Sequence, residues 1–289
     1  MSESALSSWL VSQRSDYKNN SPWKEAKTIA VLSGKGGVGK TTTTLKIAKE
    51  LARDHKVLII DCDYNLSNTA VKLGLPLSAS FSEYALENKS FEECVTTHEG
   101  VDYIFGCNGS VGLYDSDFSF DQLIINTLAL HGNRYDYILL DCPAGINKEV
   151  INLAAYCDNR FVVVNPDKSS ITDSYALIKI LNKKNSITCN HLIVNKVDNS
   201  NQYQKVVRSL VDTVSTFLGC QTKVLGAVKN INVASDLFDL EITKGEKNSL
   251  TKYFSNIVKA YTDENSSYYF GAPGHSKINL TEQEVHLNN

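Results

Sequence analysis

Most of the chemistry this chain can do is carried by nine residues, Gly34-Lys35-Gly36-Gly37-Val38-Gly39-Lys40-Thr41-Thr42. They satisfy the pattern G-x-x-x-x-G-K-[ST], in which a curl of backbone N–H groups surrounds a phosphate. Gly34, Gly36, Gly37 and Gly39 let the loop bend without Cβ clashes, and Val38 and Thr42 extend the curl. Lys40 brings a point charge to the β- and γ-phosphates, and the Thr41 hydroxyl is a ligand for Mg²⁺. Thr41 also opens a helix whose N-terminal dipole favours the same anion. A second lysine, Lys35, lies inside the loop.

Two acidic segments add to this. Ile59-Ile60-Asp61-Cys62-Asp63 ends an apolar run with two carboxylates, expected on opposite faces of the extended backbone. Beside a nucleotide, one acid contacts the magnesium shell and the other orients an attacking water. The plainer alternative makes Asp63 a cap for the next helix. Ile138-Leu139-Leu140-Asp141-Cys142-Pro143-Ala144-Gly145 repeats the form, with Asp141 placed to bind Mg²⁺ through water. Gly145 allows a backbone N–H to approach a γ-phosphate and so to distinguish ATP from ADP. Cys142 has no His or Cys neighbour in sequence and reads as packing. Asn195-Lys196-Val197-Asp198 matches N-K-x-D, the run that selects guanine in related GTPases through its aspartate.

The elements that must position these groups are legible as an alternation. Strands are predicted at Lys27–Leu32, Lys56–Asp61, Val101–Phe105, Tyr135–Asp141, Arg160–Asn165, His191–Lys196 and Lys223–Val228. Helices are predicted at Thr41–Arg53, Phe81–Glu87, Phe120–Leu130, Lys148–Tyr156, Thr172–Asn182, Gln202–Phe217 and Ser249–Tyr261. Short apolar strands alternating with helices imply an α/β fold, a mainly parallel twisted sheet with helices on both faces. Ligands of such sheets bind beyond the carboxyl ends of the strands, where the motifs fall. One domain is expected over residues 27–261, preceded by an appendage at 1–26 and followed by a polar, loosely ordered tail at 262–289. In the appendage, Ala5, Leu6, Trp9 and Leu10 would share one helix face, a possible docking helix.

Composition narrows the function classes. The 289 residues are 42% hydrophobic and 21% charged, ordinary for a chain that buries a sizeable core. The net charge of −3 argues against a dominant nucleic-acid surface. Seven cysteines without a C-x-x-C pair suit reduced thiols of a cytoplasmic protein better than a disulfide or zinc framework. No apolar run approaches the roughly 20 residues that span a bilayer, and the N-terminus lacks a signal-peptide core.

Taken together, Lys35 in K-G-G-V-G-K-T-T, the D-C-D of 61–63, the D-C-P-A-G of 141–145 and the segment Asn165–Asp173 resemble the MinD/ParA family of deviant Walker A ATPases. Glu25–Val31 and Ser170–Lys179 most resemble its FlhG branch, regulators of flagellar placement and number. The resemblance covers roughly residues 25–260. It implies a homodimer formed on ATP with Mg²⁺ as cofactor, in which Lys35 contacts the phosphates of the partner subunit. Asp63 would align the hydrolytic water, Asp61 would support the magnesium, and Asn195 corresponds to the adenine-reading residue. An ammonium supplied in trans couples hydrolysis to assembly.

The chain departs from the family in three places. Asn65 stands where relatives commonly have glycine. Leu225–Asn230 lacks the proline and acid of G-x-I-P-x-D, which bears on the base pocket. Lys277–Asn289 is polar, with Glu282 and Glu284, and lacks the basic amphipathic helix of membrane-binding members, which argues against reversible membrane attachment. Ala5–Gln13 occupies the place of the FlhG segment that stimulates the GTPase FlhF, an analogy only. The expected function is a slow regulatory ATPase that places or counts a cellular structure, flagella foremost. A ParA-type partition ATPase acting on DNA is the alternative, and a tyrosine kinase using Tyr253, Tyr261, Tyr268 and Tyr269 ranks below it.

Overall fold

Apolar runs of five or six residues bury both faces, so they can only stack inside a sheet covered by helices. The computed structural model describes residues 25–63, 69–76, 80–106, 119–231, 249–263 and 269–270. Its strands are β1 (Lys27–Leu32), β2 (Val57–Asp61), β3 (Thr96–His98), β4 (Val101–Ile104), β5 (Tyr137–Asp141), β6 (Asn159–Val164), β7 (Cys189–Val197), β8 (Gln221–Lys229) and β9 (Tyr269–Phe270). The helices are α1 (Lys40–Leu51), α2 (Thr69–Lys72), α3 (Ser80–Ala85), α4 (Phe91–Cys94), α5 (Phe120–His131), α6 (Lys148–Tyr156), α7 (Lys168–Asn185), α8 (Ser200–Leu218) and α9 (Ser249–Thr262).

The nine strands form one sheet in the order β3-β4-β2-β5-β1-β6-β7-β8-β9. The strands from β4 to β8 pair in parallel, and β3 and β9 are antiparallel edges. Every residue of β2 and β5 is buried, as is every residue of β1 after Lys27. Helices α1 and α9 pack together on one face, while α5 to α8 lie side by side on the other. The chain leaves β1 toward β2 but crosses from β5 to β6 on the far side of β1. That reversal opens a crevice at the carboxyl end of β1, where ligands of doubly wound sheets bind.

The seven predicted strands and seven predicted helices all form, β1 and α6 with the predicted bounds and the others with shifted ends. Helix α7 begins four residues earlier than its apolar periodicity suggests, because Asp167 accepts the Ser170 N–H at 2.8 Å and caps it. Strand β5 begins at Tyr137 because Gly132–Arg134 forms a 3₁₀ turn. The short helices α2 and α4 and the hairpin of β3 with β4 were not foreseen, being too brief to show a period. Within the tail read as loosely ordered, Tyr269–Phe270 pairs with Thr222 and Lys223 of β8. The 1–24 stretch with its apolar stripe, Asn65, Tyr268 and residues 271–289 lie outside the described residues.

Candidate functional site

The loop between β1 and α1 is shaped by contacts that local sequence does not reveal. A Cβ on Gly34 would stand 2.3 Å from the Asp173 carbonyl carbon, so the loop starts pressed against the backbone of α7. Gly37 and Gly39 adopt φ of 77° and 91°, the left-handed region open to glycine. At Gly39 a Cβ would also meet Asn195 Nδ2 at 2.3 Å. Gly39 is the N-cap of α1 and provides no side-chain acceptor, which leaves the first amides of the helix for an anion. Helix α1 therefore begins at Lys40, one residue before Thr41.

Strand β7 braces the far side of the loop. Asn195 Nδ2 donates to Val38 O at 2.7 Å, and Lys196 Nζ donates to Gly37 O at 2.9 Å. Lys196 reaches it because β7 bulges between Val194 and Val197 and turns Lys196 to φ 56°. With its amide nitrogen facing the loop, Asn165 donates to Val38 O at 3.1 Å and Asn195 O at 3.3 Å. Gly145 takes φ 100°, and its N–H donates to Ser33 O at 2.9 Å. An approach of this N–H to a γ-phosphate would require release of that bond.

The acids converge through strand register. Asp61 and Asp141 are direct partners on β2 and β5, 2% and 4% exposed. Lys40 Nζ lies 3.2 Å from Asp141 Oδ1, which also accepts the Thr44 hydroxyl at 3.2 Å. Burial works against the Lys40 charge, but Asp141, with smaller effects of Cys142 and Asp61, more than offsets it and raises the pKa. The expectation that Asp61 and Asp63 sit on opposite faces of one strand is corrected. Strand β2 stops at Asp61, and Asp61 Oδ1 accepts the Asp63 N–H at 3.0 Å, forming a turn rather than further strand. Cys62 and Cys142 are fully buried, and burial followed by the neighbouring Cys142 pushes the Cys62 thiol well up. Neither is a poised nucleophile. Thr41, Asp61 and Asp141 offer only oxygen donors, which suits Mg²⁺, a cation that retains waters and takes phosphate oxygens. No group of three or more His, Cys, Asp or Glu that could hold a metal occurs among the described residues. Magnesium would therefore share its shell with the nucleotide.

The glycine loop, the start of α1 and the end of β7 line a cavity of about 480 Å³, which Asp61 and Asp141 adjoin through Lys40 without lining it. Lys40, Thr41 and Thr42 line it, together with the apolar Val228, Ile231 and Phe254 and the polar Lys72, Lys229 and Asn230. Lys35 does not line it. Its Nζ turns to α7, 2.7 Å from Ser169 Oγ and 3.3 Å from Asp167 Oδ1. The Ser169 hydroxyl, the Ser170 N–H and Lys35 hold the Asp167 carboxyl below its usual range. Sequence reasoning named Lys35, Lys40, Asp61, Asp141 and Asn195, but missed Thr44, Lys196, and Ser169 and Asp167 as partners of Lys35. An aspartate just before a helical run is an N-cap signal, and it is the one local feature that could have placed Asp167.

No helix among the described residues is long and apolar enough to cross a membrane. The chain is 33% identical over 152 residues to an uncharacterised ATP-binding protein of Methanocaldococcus jannaschii, a match covering 52% of this chain and 57% of that one. It is 26% identical over 204 residues to the antiactivator FleN of Pseudomonas aeruginosa, covering 70% and 73% respectively. In fold it is similar to the septum site-determining protein MinD of Pyrococcus horikoshii, solved with Mg-ADP, at TM-score 0.67 and 21% identity, over 82% of this chain and 96% of that one. A family model described as an AAA domain matches residues 26–194. Because that match takes in the glycine loop, both buried aspartates and the Asn165 segment, and spans more than half of the chain, the protein belongs to this AAA-domain family as a P-loop ATPase of MinD/ParA type.

Proposed function

We propose that this chain is a nucleotide switch: it binds ATP with Mg²⁺, dimerises face to face, and hydrolyses ATP slowly to control the number or placement of a cellular structure. The observation that carries this reading is the division of labour between two loop lysines. Lys40 is buried on Asp141 at the phosphate end of the cavity, while Lys35 leaves the same loop, stays 44% exposed and points away from that cavity. A cradle already provided with Lys40 has no evident local use for the second ammonium. A second copy facing the loop does, because a charge delivered in trans stabilises the phosphoryl-transfer transition state only once the dimer exists.

Within this reading Thr41, Asp61 and Asp141 hold the magnesium, whose chemistry is to neutralise charge developing between the β- and γ-phosphates. Gly34, Gly36, Gly37, Val38, Gly39 and Thr42 wrap the phosphates, and Asp63 orients the attacking water. Gly145 reports the γ-phosphate by exchanging Ser33 O for it. Residues 27–261 make the switching domain, and 1–26 and 262–289 are appendages to it. Flagella are the favoured cargo because FleN, an FlhG-type relative, aligns over 73% of its length. A cytoplasmic site of action fits the same relatives, and an FlhF-like GTPase is the corresponding partner. The test is size-exclusion with light scattering in ATP, ADP and neither, alongside phosphate release. ATP alone should double the mass, and Lys35→Ala should abolish the doubling and cut turnover at least tenfold. Normal ATP-dependent dimerisation of Lys35→Ala would refute the trans role.

A further inference from the structure

We infer that Lys196 is a positioning residue for the phosphates: by holding the Gly37 carbonyl, it fixes the loop amides in the orientation that receives a polyphosphate. This inference rests on the reading of the glycine loop as the nucleotide's phosphate site, and it does not depend on dimerisation. It starts from a departure in strand geometry. In a regular strand neighbouring side chains point to opposite faces, so Asn195 and Lys196 should not reach the same target. Here they do, Asn195 Nδ2 donating to Val38 O at 2.7 Å and Lys196 Nζ to Gly37 O at 2.9 Å. The register of β7 against β8 shifts between Val194 and Val197, and Lys196 takes φ 56°, a left-handed conformation that disfavours any residue with a Cβ. Its side chain is exposed, so burial does not offset that cost. What the conformation secures is the bond to the loop.

The two bonds fall on consecutive peptides of the loop. Across a trans peptide the C=O and the following N–H point in opposite directions. Holding Gly37 O and Val38 O toward β7 therefore leaves the N–H groups of Val38 and Gly39 facing the other way, into the curl that takes the anion. Gly36, Gly37 and Gly39 have no side chains to keep these peptides from turning over, so the hold has to come from outside the loop. Val38 O has a second donor in the Asn165 amide at 3.1 Å, whereas Lys196 is the donor that Gly37 O has among the described residues. An ammonium also polarises the peptide it binds, which strengthens the Val38 N–H as a donor. Asp198, two residues on, is engaged elsewhere: its Oδ1 accepts the Asn230 side-chain amide and its Oδ2 that of Gln202, each at 3.0 Å. The run at the end of β7 thus acts on the phosphate loop through its first two residues.

The test uses the full chain with Mg²⁺ and measures affinity for ATP, for GTP and for tripolyphosphate, which has neither base nor sugar, alongside the melting temperature of the free protein. Lys196→Gly removes the ammonium and relieves the backbone. The free protein should therefore melt no lower than wild type, while affinity for all three ligands falls by about tenfold or more. Loss of a merely structural residue does not move stability and binding apart in this way. Lys196→Arg keeps a charged donor and should bind every ligand more tightly than Lys196→Gly does. Unchanged binding of all three by Lys196→Gly, or a melting temperature that falls together with affinity, overturns the assignment and leaves the nucleotide switch standing. So does a loss confined to the two nucleotides, which would put Lys196 on the sugar or base. Wild-type binding of nucleotides without tripolyphosphate counts the same way, because amides preset for phosphates should hold them without a base. Failure of the wild-type protein to bind any of the three overturns both.

Discussion

Substituting Gly34 by alanine tests whether the loop is seated by a tertiary contact or only by its own curl. The added methyl would lie 2.3 Å from the Asp173 carbonyl carbon, 2.4 Å from its oxygen and 2.7 Å from its Cβ. Two of those neighbours are backbone inside α7, so no rotamer change relieves the overlap, and loop and helix must separate by about 1 Å to restore ordinary contact. Such overpacking costs about 1–3 kcal/mol. For a domain of this size that lowers Tm by roughly 3–10 °C. The functional loss should be larger, since a displacement of about 1 Å in a positioning element costs on the order of a hundredfold in turnover. Gly36→Ala is the internal control, because its Cβ would meet nothing within 4 Å and its φ lies outside the left-handed region. Differential scanning fluorimetry and the affinity for a fluorescent ATP analogue provide the readouts. Should Gly34→Ala match Gly36→Ala in both, the packing argument fails.

Other consequences of the structure can be measured in the same way. Lys40→Met leaves the Asp141 carboxylate, 4% exposed, with only the Thr44 hydroxyl in place of a cation, and chemical denaturation without nucleotide should show a loss of about 3 kcal/mol. Asp63→Ala should keep ATP-dependent dimerisation while phosphate release falls at least tenfold; a wild-type rate would remove Asp63 from the water-positioning role. Burial, with repulsion from Lys223 and Arg160, pushes His191 down to about 4. A depressed folded-state pKa means full stability above the unfolded value of about 6.5 and progressive loss as pH falls toward 4, at most about 3.5 kcal/mol at 1.4 kcal/mol per unit. His191 packs against the rings of Phe161 and Tyr261, which also meet each other, so His191→Phe should flatten that part of the stability–pH curve. An unchanged acid limb would place the titration elsewhere.

The elements that sequence made legible are those whose cause is local. Strands β1, β2 and β5 announce themselves as apolar runs ended by serine or aspartate, and the glycine loop by its spacing. What escaped has causes far away in sequence. Gly34 must be glycine because of Asp173, and Lys35 is aimed by Asp167 and Ser169, more than 130 residues on. Asp61 meets Asp141 through strand register, a property of the sheet rather than of either segment. Lys196 joins the loop through a bulge that period-two reasoning does not anticipate. The misjudged faces of Asp61 and Asp63 have a simpler origin: residues two apart share a face of a strand, and this strand had already ended.

The position of Lys35 also bears on how sensitive a switch of the proposed kind would be. Its ion pair with Asp167 is open to water, the two side chains being 44% and 46% exposed, so the pair is worth roughly 0–1 kcal/mol. The Ser169 hydroxyl at 2.7 Å adds one further bond without adding charge. Such a hold biases the side chain toward α7 by on the order of tenfold, because 1.4 kcal/mol is one decade. A triphosphate on a facing copy offers several negative charges in a site that excludes water as the faces close, where electrostatic attraction is far stronger than at an open surface. In such a switch the transfer would be downhill when nucleotide is present and the faces meet, and uphill when either is missing. Asp167 loses little when Lys35 leaves, since it still caps α7 through the Ser170 N–H and accepts the Ser169 hydroxyl at 2.6 Å. Because the helix terminus is satisfied in both arrangements, only the ammonium would have to choose, and in the proposed switch the weak surface pair rather than refolding of α7 would set the threshold for assembly.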